Sequence, residues 1–575
     1  MFIKRCGPGK SKNEHLYWEL VESYRTERGP RQRVVAYLGD ISRTECQGVK
    51  QAAEGKTGYW QSRLFDAEGE PEWVEIDSRR VRVERVRDFG GYWLGLQMLE
   101  KLDLISFLER TVPPGREEIE WSVMSLALVL SRLCEPSSEL RIAEHLYERS
   151  PLTDLLGIPA TKVNDDRLYR ALDSLLPHKN ALEKYLKERL GTLFNLEYDL
   201  LLYDVTSTYF EGEAGANEQA RFGYSRDHRP DCKQVCIGLV VNREGLPLGY
   251  EVFAGNRHDV TTVDDIVTKI ESQYGRAGRI WVMDRGMLSE DNLELLQSKK
   301  RRYIIGTPKS QLKQFEQELL SADWEQIREG LEVKACSSPQ GEETYILCRS
   351  KARAQKEKAI HERFEKNIEK GLAKISESCQ KRKQKAGVIE RRIGRLLGAN
   401  TRAAGLYEVD VKAGADGHAG ITWHKIEKWR EWAELSEGYY MLRTNVTDWK
   451  AGELWEAYIQ LTQAENAFRI QKSDLKIRPV WHQKEQRVKA HILVCFLAYV
   501  LWKLLGQLCK SAGLGNEPRK VFDEISQIKA VDISLSTRQG TKIRRCCIAQ
   551  PTKAQSVLLQ RLNLHLPQYM KTYNL

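Results

Sequence analysis

The chain has 575 residues, too many for one hydrophobic core, so several domains are expected and a single small module is excluded. At 41% apolar and 30% charged it is too apolar to be disordered, and 90 Lys plus Arg against 80 Asp plus Glu gives +10, a mild lean towards polyanions such as nucleic acid. Twelve scattered Cys make no disulfide scaffold, MFIKRCGPGKSK lacks an apolar secretion signal, and the apolar run 492–502 is about half of what a bilayer needs, so a cytoplasmic protein with no membrane segment is expected.

In chain order, residues 1–88 read as a β-rich module with a linker, from HLYWELVESYR, RQRVVAYLGD and the basic strand-like run 79–87. GPGKS at 7–11 is only part of a phosphate-binding loop, because Lys4 stands where the first Gly of that pattern belongs, and ATP binding is not expected. Residues 89–196 carry apolar positions at helical spacing. Within them TKVNDDRLYRALDSLL reads as a turn, a cap and a helix presenting Arg167 and Arg170: either a DNA-reading helix or one arm of an ordinary helical hairpin.

Residues 197–309 switch to strands: 200–205, then 235–241 and 248–253 as antiparallel neighbours turned by Gly245 and Pro247. Helix 262–274, strand 280–283, a Ser-capped helix 289–299 and strand 303–306 follow, which predicts a mixed α/β sheet. Residues 310–436 break the alternation and read as an insertion. Its stretch 351–400 holds 15 Lys and Arg against 6 Asp and Glu, a net +9: a phosphate-tracking arm that includes Lys381, Arg382, Lys383 and Lys385, or a solvated helix. Residues 437–512 resume with the strand EGYYMLRTN and a helix over 451–472, and 513–575 form a C-terminal segment.

Two carboxylates stand in apolar strands, Asp204 in LLLYDV and Asp284 after IWVM, where an unpaired charge is costly and a cation is expected alongside. Taken singly, each reads as well as a turn or helix cap. On the 451–472 helix, Leu454, Tyr458, Leu461, Glu465, Phe468 and Lys472 step by four and three along one face, so Glu465 and Lys472 share an apolar stripe. Two turns, about 10 Å, separate the pair, and separate partners are expected: a metal for Glu465 and a phosphate for Lys472. Three carboxylates without His or Cys select Mg²⁺ or Mn²⁺, and two such ions suit phosphoryl transfer on nucleic acid. His228, Cys232 and Cys236 have ligand-like spacing but no fourth ligand nearby, and His258 in GNRHD reads as structural.

YDVTSTYFEG, VMDRGM and YIQLTQAENAFRIQKSDLKIRPVWH resemble bacterial insertion-sequence DDE transposases of the IS-four superfamily, with 80 residues between the two Asp and 181 from Asp284 to Glu465. The resemblance implies a ribonuclease H-like core interrupted before the catalytic Glu. It implies catalysis and binding of two metals by Asp204, Asp284 and Glu465, and contact of Tyr458 and Lys472 with DNA. The superfamily's helix signature has an Arg where this chain has Leu461, for which Arg469 or Arg478 would compensate. The function implied is a transposase that binds terminal inverted repeats, cleaves the ends and joins the 3′-OH to target double-stranded DNA, as a homodimer in the end complex. A metal-dependent nuclease on the same fold and a DNA-binding protein with an inactive site are the alternatives.

Overall fold

Strand-forming runs gather near both ends and in the middle of the chain, and most are long enough to pair. In the computed structural model the residues described are 2–6, 17–26, 29–39, 75–338, 341, 343–382, 384–413, 419–537, 540, 542–567 and 569–574. GPGKS at 7–11 and Lys383 lie outside them. Strands β1 (Phe2–Cys6), β2 (Tyr17–Thr26) and β3 (Gly29–Gly39) make an antiparallel sheet whose Leu20, Val35, Ala36 and Leu38 are buried. It is tied by Arg33 to Glu524 at 2.7 Å. Strand β4 (Arg82–Asp88) precedes a helical region whose main helices are Gly90–Lys101, Trp121–Cys134, Asp165–Leu175 and Lys179–Phe194. Asn164 caps the third of these through its side chain, and Leu168, Ala171 and Leu172 bury its inner face.

The central sheet comprises β5 (Leu200–Tyr209), β6 (Gln234–Val241), β7 (Pro247–Ala254), β8 (Ile280–Met283), β9 (Arg302–Thr307), β10 (Glu325–Arg328), β11 (Leu331–Ser337), β12 (Thr344–Ser350) and, beyond the hairpin β13 (Tyr407–Ala413) and β14 (Ala419–Lys425), β15 (Tyr439–Thr444). Its order is β10-β11-β12-β15-β9-β8-β5-β6-β7, with β5, β8 and β9 parallel and the other neighbours antiparallel. Both faces are covered, which is why β5 reads as an unbroken apolar run. Leu201, Tyr203 and Val205 face the Val263–Tyr274 and Glu290–Ser298 helices. Leu200 and Leu202 belong to the larger core with the helices that follow β15.

The 310–436 stretch is not separate from this sheet throughout. β10, β11 and β12 extend it, and β15 lies between β12 and β9, leaving neither edge of β15 bare. What leaves the sheet is the helical pair Lys351–Lys381 and Ala386–Ala399, which packs on β13 and β14 around a core of its own: Ile368, Leu372, Ile375, Ile389, Ile393 and Ile421.

The predicted 451–472 helix is two, Ala451–Ile459 and Thr462–Ser473. Between them Leu461 N–H donates to Tyr458 O and Ala464 N–H to Leu461 O, three-residue steps that tighten the winding. Tyr458 and Glu465 are therefore not on one continuous stripe. Glu485–Ser511 is by length and composition the one described helix able to cross a membrane, yet most of it is buried here, against Trp121–Cys134 among others. Strands β16 (Lys529–Ser536), β17 (Lys542–Ile548) and β18 (Tyr569–Asn574) close a last sheet in which β4 pairs with β16, joining residues 82–88 to the C-terminal segment.

Candidate functional site

Parallel pairing of β5 with β8 sets Leu200 beside Ile280 and Tyr203 beside Met283, so Asp204 and Asp284 are the next residues on neighbouring strands, about 5 Å apart in backbone. The Thr462–Ser473 helix packs on the same face of β5 and brings Glu465. The three carboxylates act on one another. Burial, then the charges of Asp284 and Glu465, push Asp204 up to about 7. Burial and Asp284 likewise raise Glu465.

Neither strand Asp spends its charge on a cap. Asp284 precedes the short turn Arg285–Met287 without a side-chain cap bond. Asp204 accepts one hydrogen bond, from Val205 N–H at 2.8 Å. The expected neighbouring cation is not in contact either: among the described residues no Lys or Arg forms an ion pair with Asp204, Asp284 or Glu465, and Arg226, bound to Asp259, draws Asp204 down only from a distance. Asp204 is half-buried, whereas Asp284, expected in a buried setting, and Glu465 are exposed. An oxygen-only set of three acids without a paired cation fits hard divalent ions.

Tyr458 lies close by, its phenol raised by burial and then by Asp284. It lies against Gly306 on β9, so close that any Cβ there would strike the phenol. Leu461, where the signature has Arg, is buried in the main core, so its stripe position is filled by packing. Lys472 was expected to be kept for a phosphate, but it donates to Asp227 at 2.8 Å, and Arg478 binds the same carboxylate. Burial lowers the Lys472 ammonium, with Asp227 opposing. The two proposed compensators separate: Arg478 joins Lys472, while Arg469 lines a cavity of about 910 Å³ with Asn466, Ile470 and Lys503. At the turn between the Lys351–Lys381 and Ala386–Ala399 helices, Lys381, Arg382 and Lys385 are exposed, Lys381 pairing with Glu377 at 2.5 Å.

The sequence reading missed a buried cluster of Glu139, His482 and His491. His482 pairs with Glu139 at 3.4 Å, while His491 meets Arg132 through Nδ1 and Ile477 O through Nε2, both at 3.3 Å or less. With both ring nitrogens engaged and a guanidinium alongside, this is a polar lock between the helical region and the segment after the Glu465 helix. Its signal, EPSSE and WH over three hundred residues apart, carries no local pattern. Cys236 is buried on β6 and bonds to backbone carbonyls, while His228 is exposed.

The fold is a mixed α/β sheet with three carboxylates converging at one end of its central strands. The chain belongs to the insertion-sequence DDE transposases: the family model described as transposase DDE domain matches residues 195–501, more than half its length, and that of the IS1634 family transposase N-terminal domain matches residues 8–66. It is therefore a DNA transposase, of a class that cuts and transfers DNA and generally uses divalent metal ions. Comparison with curated proteins returned no match. Among solved structures, the chain is similar to the cryo-EM structure of the piggyBac transposase synaptic complex with hairpin DNA. Identity is 9% and TM-score 0.36, covering 79% of this chain and 82% of that one.

Proposed function

We propose that this transposase binds the terminal inverted repeats of its own element, hydrolyses a strand at each end and directs the freed 3′-OH at a target phosphodiester. The observation carrying this reading is the trio of carboxylates that converge with no ion-pair partner among the described residues. The order β7-β6-β5-β8-β9, three antiparallel strands followed by two parallel ones, supports a ribonuclease H-like core.

Asp204, Asp284 and Glu465 would hold two Mg²⁺ or Mn²⁺ ions, which supply activation of the attacking oxygen and stabilisation of the leaving one. The chain's own groups do the rest. Lys472 and Arg478 neutralise a backbone phosphate, and the Tyr458 hydroxyl orients the strand by hydrogen bonding. Leu461 contributes packing only, so Arg478 takes over the missing Arg contact. Synapsis of two ends requires two protomers, and a homodimer is proposed for the end complex, measurable by its mass.

Asp204→Asn and Glu465→Gln are expected to lose at least about 100-fold in Mg²⁺-dependent cleavage of end-bearing DNA while retaining DNA binding. Wild-type rates in both would sink the assignment. Pre-cut 3′-OH ends supplied with target DNA distinguish the rival readings. Joined products exclude a plain nuclease, and metal-dependent cleavage excludes a DNA-binding protein with an inactive site.

A further inference from the structure

We propose that Asp227 is a positioning residue that holds Lys472 and Arg478 together as a clamp for a DNA phosphate beside the carboxylate trio; this rests on the proposed function of that site. Asp227 lies in the β5–β6 connection, in the run RDHRPD, and its side chain is only 3% exposed. Its Oδ1 accepts from Lys472 Nζ at 2.8 Å and from Arg478 Nη1. Its Oδ2 is buried and has no hydrogen-bond partner.

Those three facts fit a clamp better than a purely structural ion pair. A buried carboxylate kept for stability is expected to satisfy both oxygens, since an unmade bond leaves its desolvation uncompensated. Two cations brought within reach of one oxygen repel each other, and the anion between them cancels that repulsion. The bonds to Asp227 account for one donor on each cation, out of three on an ammonium and five on a guanidinium. The Lys472 and Arg478 side chains keep 12% and 30% exposure, so unspent N–H groups reach the surface as a fork that one phosphate fills. The neighbouring Arg226 senses both Asp204 and Lys472, which ties the clamp to the carboxylate end of β5.

The test is steady-state cleavage of end DNA by Asp227→Asn and Asp227→Glu, with Lys472→Met and the double variant Asp227→Asn/Lys472→Met. Asp227→Asn is expected to lower kcat about 10- to 100-fold, with DNA affinity changed far less, because the phosphate is still met but misplaced. Asp227→Glu should recover part of the loss, and the double variant should be no slower than Lys472→Met alone, because Asp227 acts through Lys472. Asp227, Arg478, Arg226 and Cys236 are the charged or titratable groups facing Lys472, and Asp227 is the anion sustaining its ammonium. The alkaline limb of the pH–rate profile should therefore move towards neutral in Asp227→Asn.

Wild-type kcat with an unmoved limb in Asp227→Asn, or additive losses in the double variant, overturns the clamp. Faster cleavage with tighter binding also overturns it, making Asp227 a blocker. If Asp227→Asn does not fold, Asp227→Glu with Lys472→Met still decides through the same limb and cycle. Asp204→Asn separates the two levels: if it cleaves like wild type, the reading of the site fails. If it is dead while every Asp227 variant matches wild type, the clamp alone fails.

Discussion

At the scale of single residues, Asp204 sets the electrostatics of the site. Its ordinary value of 3.8 rises to about 7 in the folded chain, so between those values the folded state holds a proton that the unfolded state has released. Stability without metal should therefore fall as pH rises through that window, with the full penalty present above it. Divalent ions at the proposed site would bind its deprotonated form. Mg²⁺ is expected to raise the melting temperature by a few degrees at about pH 8 and much less at about pH 5, and Asp204→Asn should be the more stable protein at the higher pH without metal. An equal Mg²⁺ effect at both pH values would count against the site. Gly306 gives a second expectation. A Cβ there collides with the Tyr458 hydroxyl, so Gly306→Ala should slow cleavage about tenfold, and adding Tyr458→Phe should remove most of that further loss, as a double-variant cycle would reveal. The two strand Asp were legible because charge in an apolar run is conspicuous. Asp227 was not, since RDHRPD has the composition of any polar loop and its Lys472 partner is 245 residues away.

At the scale of elements, local periodicity predicted most strands of the central sheet within a few residues and failed where geometry changes inside an element. Tyr458 to Lys472 looked like one stripe because 3.6-residue winding was assumed throughout, whereas the tight step at Leu461 shifts the phase. Pairing of β4 with β16 joins residues about 440 apart, and the polar lock joins Glu139 to His482, so neither had a local signature. That lock has a pH signature of its own. Burial, then Arg132, pushes His491 down to about 3 from an ordinary 6.5, so the folded state keeps it neutral while the unfolded state takes up a proton below 6.5. Burial works to raise Glu139, but its bond to His482 and the nearby positive charges prevail and hold it at about 2, below its ordinary 4.5, so it acts with the same sign. Both contributions are present near neutral pH and fade as pH falls. Thermal melts should show wild type losing stability between about pH 6.5 and 4, and His491→Gln, which keeps a neutral acceptor for Arg132, starting lower and losing less over that range. Parallel acid losses in the two proteins would remove His491 as the cause.

At the scale of the whole molecule, the charge is concentrated in one place. Of the net +10, residues 351–400 carry +9, and the rest of the chain is close to neutral. Composition made that excess visible but not its shape, because a charged helix and a built arm share one sequence signature. The arm has its own apolar core and Lys425 pairs with Glu365 and Glu369, so its shape does not depend on the exposed cations at its turn. A helical arm with exposed positive charge, inserted between strands of the sheet that carries Asp204, suits long-range attraction of DNA, while the near-neutral remainder would limit indiscriminate binding. Converting Lys381, Arg382 and Lys385 to Gln should leave the melting temperature nearly unchanged, because all three are exposed and the surface pair with Glu377 contributes little. The same change should weaken DNA binding and lower the magnitude of the slope of log affinity against log salt by up to about 2 to 3, roughly 0.9 for each phosphate no longer neutralised. Salt titrations by fluorescence anisotropy would measure that slope, and an unchanged one would return the turn to an ordinary solvated surface.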